Sequence, residues 1–415
     1  MTVPTAAFSG SATAGGSESV ALQYFDYGEF GPQGGHWDYI NWRADDLGAA
    51  GYSDVWIQSP SQTVAPSSNG YDPRDHLNFN NALGSEGELQ SMIDALNWNG
   101  VGTIVDTIYN HTGPEDPQGG TYPHFPNRGY FHEPQSIEED RLRGQLAGLW
   151  ALDHWDGRVT DFMSVYTDEL AELGVSGLRL DAAVHIPQWW FDNEASDWWD
   201  WHGLFTVGEI WDPLWRIEEY LNGAIDTAFD FQLQSQLTDS FSFGGSLDDL
   251  RSTIENGDCL LGSNPVGACT FVENHDLNVY GDDPGEVPDD YDLAHAFILT
   301  APGFPFVYEN RTIDGDGIDD PYADWLANLI WIKNNLAGGD MWFRYSDDDF
   351  LVHERQGNLV TGINKGGWTR SEWVYTEFRN QTLNDYTGTM GDVWVNGDGW
   401  CNIEVPTQDW VCYAP

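Results

Sequence analysis

Lysine is almost missing from this chain. Of 415 residues only Lys333 and Lys365 are lysines, and fourteen arginines complete the 16 basic residues, against 67 acidic ones and a net charge of −51. A surface this anionic repels nucleic acid and anionic membranes, which excludes those partners. No run approaches the roughly 18–20 apolar residues that a membrane span requires. Only four cysteines occur, too few for a disulfide-rich scaffold. The N-terminal stretch, residues 1–19, has neither a basic region nor an apolar core and so is no intact signal peptide. It reads either as a mature end carrying an added Met or as the start of an intracellular protein.

What is present belongs to a folded protein. Hydrophobic residues make up 40% and aromatics 14% of the chain, far above an acidic disordered tail. The acids are dispersed rather than gathered in a block. In dilute buffer they destabilise the compact state by self-repulsion, whereas at molar salt the screening length falls to about 3 Å. Mere acidity does not call for loss of lysine, so the composition reads as adaptation to high salt, the alternative being an ordinary acidic enzyme. Cys259 and Cys269 bracket one loop, and Cys401 and Cys412 bracket the last strands. Two local bridges, Cys259–Cys269 and Cys401–Cys412, are the economical pairing and imply an oxidising, extracellular setting. Buried free thiols are the alternative.

Four apolar runs end in polar clusters: VDTIYNH (105–111), GLRLDAAVH (177–185), FTVGEIWD (205–212) and FVENHD (271–276). They look like strands delivering side chains to one rim of a parallel barrel. From Asp181 to Glu209 is 28 residues and from Glu209 to Asp276 is 67, about one and two strand–helix–strand units of roughly 30 residues. From Asp106 to Asp181 is 75, an excess of roughly 45 on the same yardstick, which predicts an insertion after the third strand. The Gly-, Pro- and aromatic-rich stretch 112–155 is that insertion. From about residue 341 short β-type runs replace the helical spacing.

Side chains two apart on a strand share a face, so Arg179 and Asp181 point the same way. A neighbouring guanidinium keeps a carboxylate ionised, which suits Asp181 as a nucleophile. Glu209, beside Ile210 and Trp211, has a less polar setting that raises a carboxyl's pKa and suits a general acid/base. Asp106 reads as the residue that orients Arg179. The tryptophan pairs Trp189–Trp190 and Trp198–Trp199 read as core or helix-face packing rather than sugar platforms. The Asp-rich stretch 314–320 reads as a solvated loop, since it lacks the distal Glu of an EF-hand.

In order and spacing, the four segments resemble the signature regions of the α-amylase superfamily, glycoside hydrolase family 13, on strands three, four, five and seven. SVALQYFDY (19–27), SDVWIQ (53–58) and FPFVYEN (304–310) resemble the family's first, second and eighth strands, and FLVHERQGNLVTGINKGG (350–367) the start of its C-terminal β-domain. The resemblance implies an α/β fold: a (β/α)₈ TIM barrel formed by residues 1–111 and 156–340, a domain B at 112–155 and an antiparallel C-terminal domain at 341–415. It implies Asp181 as nucleophile, Glu209 as acid/base and Asp276 as the residue that binds sugar hydroxyls and favours the distorted ring. His111, His275, Arg179 and His185 match substrate contacts, and Tyr71 matches an aromatic that stacks on the sugar, with local packing as its alternative. Calcium is the implied ion, with Asn110, Asp153 and the backbone carbonyl of His185 as ligands. The resemblance departs at Val184, where many relatives carry lysine before the histidine, and this bears on the leaving-group side.

The expected activity is retaining hydrolysis of internal α-1,4-glucosidic bonds in starch or related glucans by a secreted, monomeric, salt-adapted enzyme. An oligosaccharide-forming amylase or transglycosylase of the same superfamily is the near rival, and a non-catalytic glucan-binding protein the distant one.

Overall fold

The computed structural model describes residues 19–25, 35–65, 70–277, 287–309, 318 and 320–415. Most of the Asp-rich stretch 314–320 lies outside the described residues. Eight strands form a closed barrel: β1 (Ala21–Gln23), β2 (Asp54–Ile57), β3 (Gly102–Thr107), β4 (Gly177–Leu180), β5 (Phe205–Gly208), β6 (Thr227–Phe229), β7 (Ala268–Phe271) and β8 (Phe304–Tyr308). Every neighbouring pair is parallel, and β8 closes on β1 through the pairing Ala21↔Phe306. The expected α/β barrel is therefore the observed fold.

Alternation along the strands sorts the residues into two layers. Trp56, Ile104, Val207, Phe229, Cys269, Phe271, Phe304 and Phe306 fill the interior. Their neighbours on the other face, such as Val55, Val105, Leu178 and Val307, pack under the surrounding helices. The helix before β3, Glu86–Trp98, starts in a full capping box between Ser85 and Glu88 and buries Leu89, Met92, Ile93 and Leu96. Such local signals are why the strand–helix alternation survives in so acidic a sequence.

The chain leaves the barrel after β3 and returns by the helix Gly157–Glu172. A short ribbon pairs His111–Thr112 with Trp150–Ala151, so the excursion departs and rejoins at one seam. In the C-terminal part a six-stranded antiparallel sheet runs in the order β9 (Met341–Ser346), β10 (Phe350–Arg355), β11 (Leu359–Asn364), β16 (Asp409–Ala414), β13 (Gln381–Asp385), β14 (Val393–Val395). A two-stranded ladder of β12 (Arg370–Tyr375) and β15 (Trp400–Val405) covers it. One face of the sheet, with Leu351, Leu359 and Ile363, joins the barrel's outer core. The other, with Phe350, Val352, Val360 and Val411, packs with Val374, Ile403 and Val405 of the ladder.

Both lysines are internal. Lys333 Nζ donates to the carbonyls of Ala301 and Gly303, 2.6 and 3.0 Å away. Lys365 Nζ donates to Ser240, Ser242 and Gly245 at 2.7, 3.2 and 2.6 Å, tying the C-terminal sheet to the loop after the helix Phe231–Phe241. The solvent-facing surface thus carries no lysine ammonium.

The expected disulfides do not form. Cys259, Cys269, Cys401 and Cys412 are all buried free thiols. Cys259 packs in the outer core, while Cys269 points into the barrel interior and contacts Thr227 Oγ1 at 3.2 Å. Cys401 and Cys412 lie on opposite sides of the C-terminal sheet. Bracketing a loop in sequence placed each pair on different faces, so their sulfurs serve as apolar filling. Accordingly, four thiols should react with Ellman's reagent in denaturant without reductant and none in the native protein; a count below four would reveal a bridge.

Candidate active site

Arg179 organises the C-terminal rim of the barrel. Its side chain is 1% exposed, and its guanidinium carbon lies 5.1 Å from the Trp56 ring centroid, above the aromatic interior. Nη1 donates to Asp106 Oδ1 and to Asp181 Oδ1, both at 2.7 Å, and Nη2 lies 3.0 Å from Glu209 Oε1. Strands β3, β4 and β5 are consecutive neighbours in the barrel. Residues 73 and 28 positions apart in sequence therefore meet around one cation.

The backbone sharpens this arrangement. Asp181 N–H donates to Thr107 O at 3.1 Å, which holds the carboxyl at the end of β4. Ala182 adopts the left-handed region, with φ 48°, which costs a non-glycine residue about 1–2 kcal/mol. The turn aims its N–H at Glu209 Oε2, 2.7 Å away. Ala182 thus positions the second carboxyl, a role that its unremarkable side chain gave no reason to expect.

Tyr71 connects the remaining groups. Its hydroxyl donates to Asp106 Oδ2 at 2.6 Å and accepts from His275 Nε2 at 2.7 Å. Its ring stacks on His275, with centroids 5.5 Å apart at 7°. Its carbonyl accepts from His111 Nε2 at 2.9 Å. His111 Nε2 lies 3.9 Å from Asp181 Oδ2 and His275 Nε2 lies 3.6 Å from Asp276 Oδ2, beyond direct hydrogen bonds. In this structure, then, Tyr71 holds the Nε2–H of both histidines, and a sugar hydroxyl reaching for them must compete with it. Asp276 is fixed by its own N–H to Asn274 Oδ1 at 3.0 Å.

The electrostatics depart from expectation at Asp181. Burial pushes its carboxyl well above the usual range; Arg179 opposes this, while Glu209 and Asp106 add to it. Burial likewise lifts Asp106 to about 6, against Arg179 and the Tyr71 hydrogen bond. One guanidinium faces three carboxyls, Asp106 and Asp181 buried and Glu209 partly exposed, so Arg179 only partly offsets the effect of burial on the two aspartates. Asp276 is also raised by burial, with Arg179 pulling the other way. Burial lowers His111 to about 4, which leaves its imidazole neutral near pH 7.

Of the three expected calcium ligands, Asn110 and Asp153 lie by the seam between barrel and insertion, and His185 is tied to the insertion through Arg141. Asn110 turns its amide N–H to His111 Nδ1 at 3.2 Å, which leaves the amide oxygen as the end that can face a cation. Leu152 N–H bonds to Asn110 O at 3.0 Å and brings Asp153 alongside, its carboxylate partly exposed. His185 Nδ1 donates to Arg141 O at 2.9 Å, joining the turn after β4 to the insertion. An amide oxygen, a carboxylate and a backbone carbonyl are hard donors that suit Ca²⁺. Among the described residues no cluster of three or more His, Cys, Asp or Glu could hold a metal ion.

Trp211, which the sequence suggested only as apolar surroundings for Glu209, is 57% exposed and stacks on Phe231 with centroids 4.7 Å apart at 4°. An exposed indole two residues beyond an acid at the rim presents a flat apolar face of the kind that sugar rings stack on. Trp190 and Trp199 are buried in the core, as expected for packing.

Residues 359–414 match the family described as "Alpha-amylase C-terminal". An α-amylase of Aeromonas hydrophila is 25% identical over 405 residues, spanning 82% of this chain and 85% of that protein. The chain is similar to α-amylases. A β/α-amylase of Paenibacillus polymyxa is 25% identical across 86% of this chain, and a cyclomaltodextrin glucanotransferase of Geobacillus stearothermophilus is 26% identical across 78%. The chain spans only 31% and 52% of those two proteins. The crystal structure of a Geobacillus thermoleovorans α-amylase complexed with acarbose superposes with a TM-score of 0.82 at 20% identity, covering 96% of this chain and 98% of that one.

Asp106→Asn removes a negative charge that opposes ionisation of Asp181. The acid limb of kcat/KM should therefore move to lower pH, because Asp181 must be ionised to attack and its raised pKa falls. The rate at the optimum should drop about 10²-fold, as Arg179 and Tyr71 lose an anionic anchor. A pH–rate profile checks both; an acid limb that stays put or moves up contradicts the charge balance described here.

Proposed function

We propose that the protein hydrolyses internal α-1,4-glucosidic bonds of starch and related α-glucans with retention of configuration, at high salt. The observation that carries this reading is the sharing of one guanidinium by Asp181 and Glu209. Two carboxyls on one guanidinium, the second also bonded to the N–H of the residue after the first, favour the close spacing of a retaining pair, about 5 Å, over the roughly 6.5–9.5 Å of an inverting one. Asp181, ionised, attacks the anomeric carbon while Glu209, as general acid, gives a proton to the departing glycosidic oxygen. Glu209 then takes a proton from water, which attacks the same carbon and releases Asp181. Asp276, at the adjoining strand end, accepts hydrogen bonds from hydroxyls of the distorted ring.

Binding of Ca²⁺ by Asn110 Oδ1, the Asp153 carboxylate and the His185 carbonyl would brace the insertion against the rim and hold His111 through Asn110. High-salt adaptation is supported by the net charge of −51 together with the burial of both lysines. A polymeric substrate favours action outside the cell, and mutual repulsion favours a monomer. The second reading, transfer of a glucan to a sugar acceptor, is favoured by the exposed Trp211–Phe231 stack beside Glu209 and by the likeness to glucanotransferases.

Asp181→Asn and Glu209→Gln should each lower soluble-starch hydrolysis in several-molar salt by at least about 10³-fold while maltoheptaose still binds. Activity retained by either variant would remove the two-carboxyl assignment. Chelation should lower the Tm of the wild type and leave Asn110→Ala unchanged. A chelator effect equal in both would place the ion elsewhere.

A further inference from the structure

The outer face of the β12–β15 ladder gathers exposed aromatic side chains on one paired support. Its inner face packs Val374, Cys401, Ile403 and Val405 against the six-stranded sheet. Alternation sends Ser371, Trp373 and Tyr375 outward from β12, and Trp400, Asn402 and Glu404 outward from β15. The register pairs them directly: Ser371↔Glu404, Trp373↔Asn402, Tyr375↔Trp400. Trp373 is 63% exposed and Trp400 43%, so large indole faces stand in water on a two-stranded, backbone-paired support. The Tyr375 and Trp400 rings meet edge to face with centroids 6.1 Å apart.

This face is held in shape before any ligand arrives. Arg379 Nη2 donates to Tyr375 Oη, and the Arg379 guanidinium carbon lies 4.8 Å from the Tyr375 ring centroid. Arg344 approaches the same ring at 5.5 Å. Among the described residues the side chains of Ser371 and Asn402 have no hydrogen-bond partner, which leaves hydroxyl and amide groups free beside the indoles.

We propose that this face is a second carbohydrate-binding site, one that holds α-glucan chains on the C-terminal domain away from the catalytic rim. Aromatic planes match the apolar faces of sugar rings, and interleaved amide and hydroxyl groups match their hydroxyls. Charge points to the same occupant. A neutral polyol needs no compensation for Glu404 or for the net charge of −51, whereas a second copy of this chain brings the same sign. A preorganised platform loses little freedom on binding. The choice of α-glucan as the sugar rests on the activity proposed above.

The test compares the full-length wild type with Trp373→Ala/Trp400→Ala and Trp373→Phe/Trp400→Phe double variants in several-molar salt. Binding to insoluble starch granules is read by sedimentation, and kcat/KM is measured on soluble maltoheptaose. The alanine variant should bind granules about tenfold more weakly, the phenylalanine variant close to wild type, and all three should cleave maltoheptaose equally. Wild-type cleavage of maltoheptaose with equal granule binding by the alanine variant overturns the second site and leaves the hydrolase reading standing. Ring-dependent granule binding by a wild type that cleaves no α-glucan supports the site and overturns the hydrolase reading. A dimer that dissociates on alanine substitution, with granule binding unchanged, assigns the face to self-association and overturns the proposal.

Discussion

A single buried guanidinium sets the terms for this molecule. Arg179 sits above a barrel filled with phenylalanine and tryptophan, where an unpaired cation costs several kcal/mol. Of the three carboxyls that surround it, Asp106 and Asp181 are buried with it and do not tolerate that depth alone, while Glu209 reaches it from a partly exposed position. Each side of the cluster therefore depends on the other, and the cluster depends on β3, β4 and β5 arriving in parallel register. The imbalance of three acids to one base is the chemically useful part. It leaves the Asp106 and Asp181 carboxyls above their usual range in spite of Arg179, and the proposed cleavage of a glycosidic bond draws on that balance.

The same logic, inverted, governs the rest of the chain. Acidic groups crowd the surface, while the two lysines are internal and donate to backbone carbonyls. Lys365 bridges the C-terminal sheet and the barrel's helical layer through three carbonyls. A cation used in this way joins two parts of the fold without a surface ion pair, whose contribution high salt would screen. Stability at the interface then rests on apolar packing and charge-assisted hydrogen bonds, neither of which requires a dilute solvent.

The barrel was legible because its strands end abruptly in polar residues, and because helix caps such as Ser85 with Glu88 mark where each connection begins. The meeting of Asp106, Arg179, Asp181 and Glu209 followed from alternation within a strand and from unit-length spacing between strands. What local pattern did not carry was the balance of charge. Read in isolation, Arg179 beside Asp181 suggests an ionised carboxylate; only the assembled site shows two further acids and full burial outweighing it. The cysteines failed for a related reason, since closeness in sequence says nothing about which side of a sheet a residue faces. Ala182 and the grip of Tyr71 on His111 and His275 depend on backbone direction and hydrogen-bond choice, which residue type leaves open. The tryptophans divide in the same way: Trp190 is core and Trp373 is surface, a difference set by the layers around them.

The most direct measurement is the configuration of the first sugar released. Proton NMR of soluble-starch cleavage in several-molar salt, recorded before mutarotation, should show the α-anomer first. That result follows if Asp181 and Glu209, held close by Arg179, act in two successive displacements. Initial β-anomer would mean that a water lies between the carboxyls, and the account of the shared guanidinium as the basis of catalysis would be wrong.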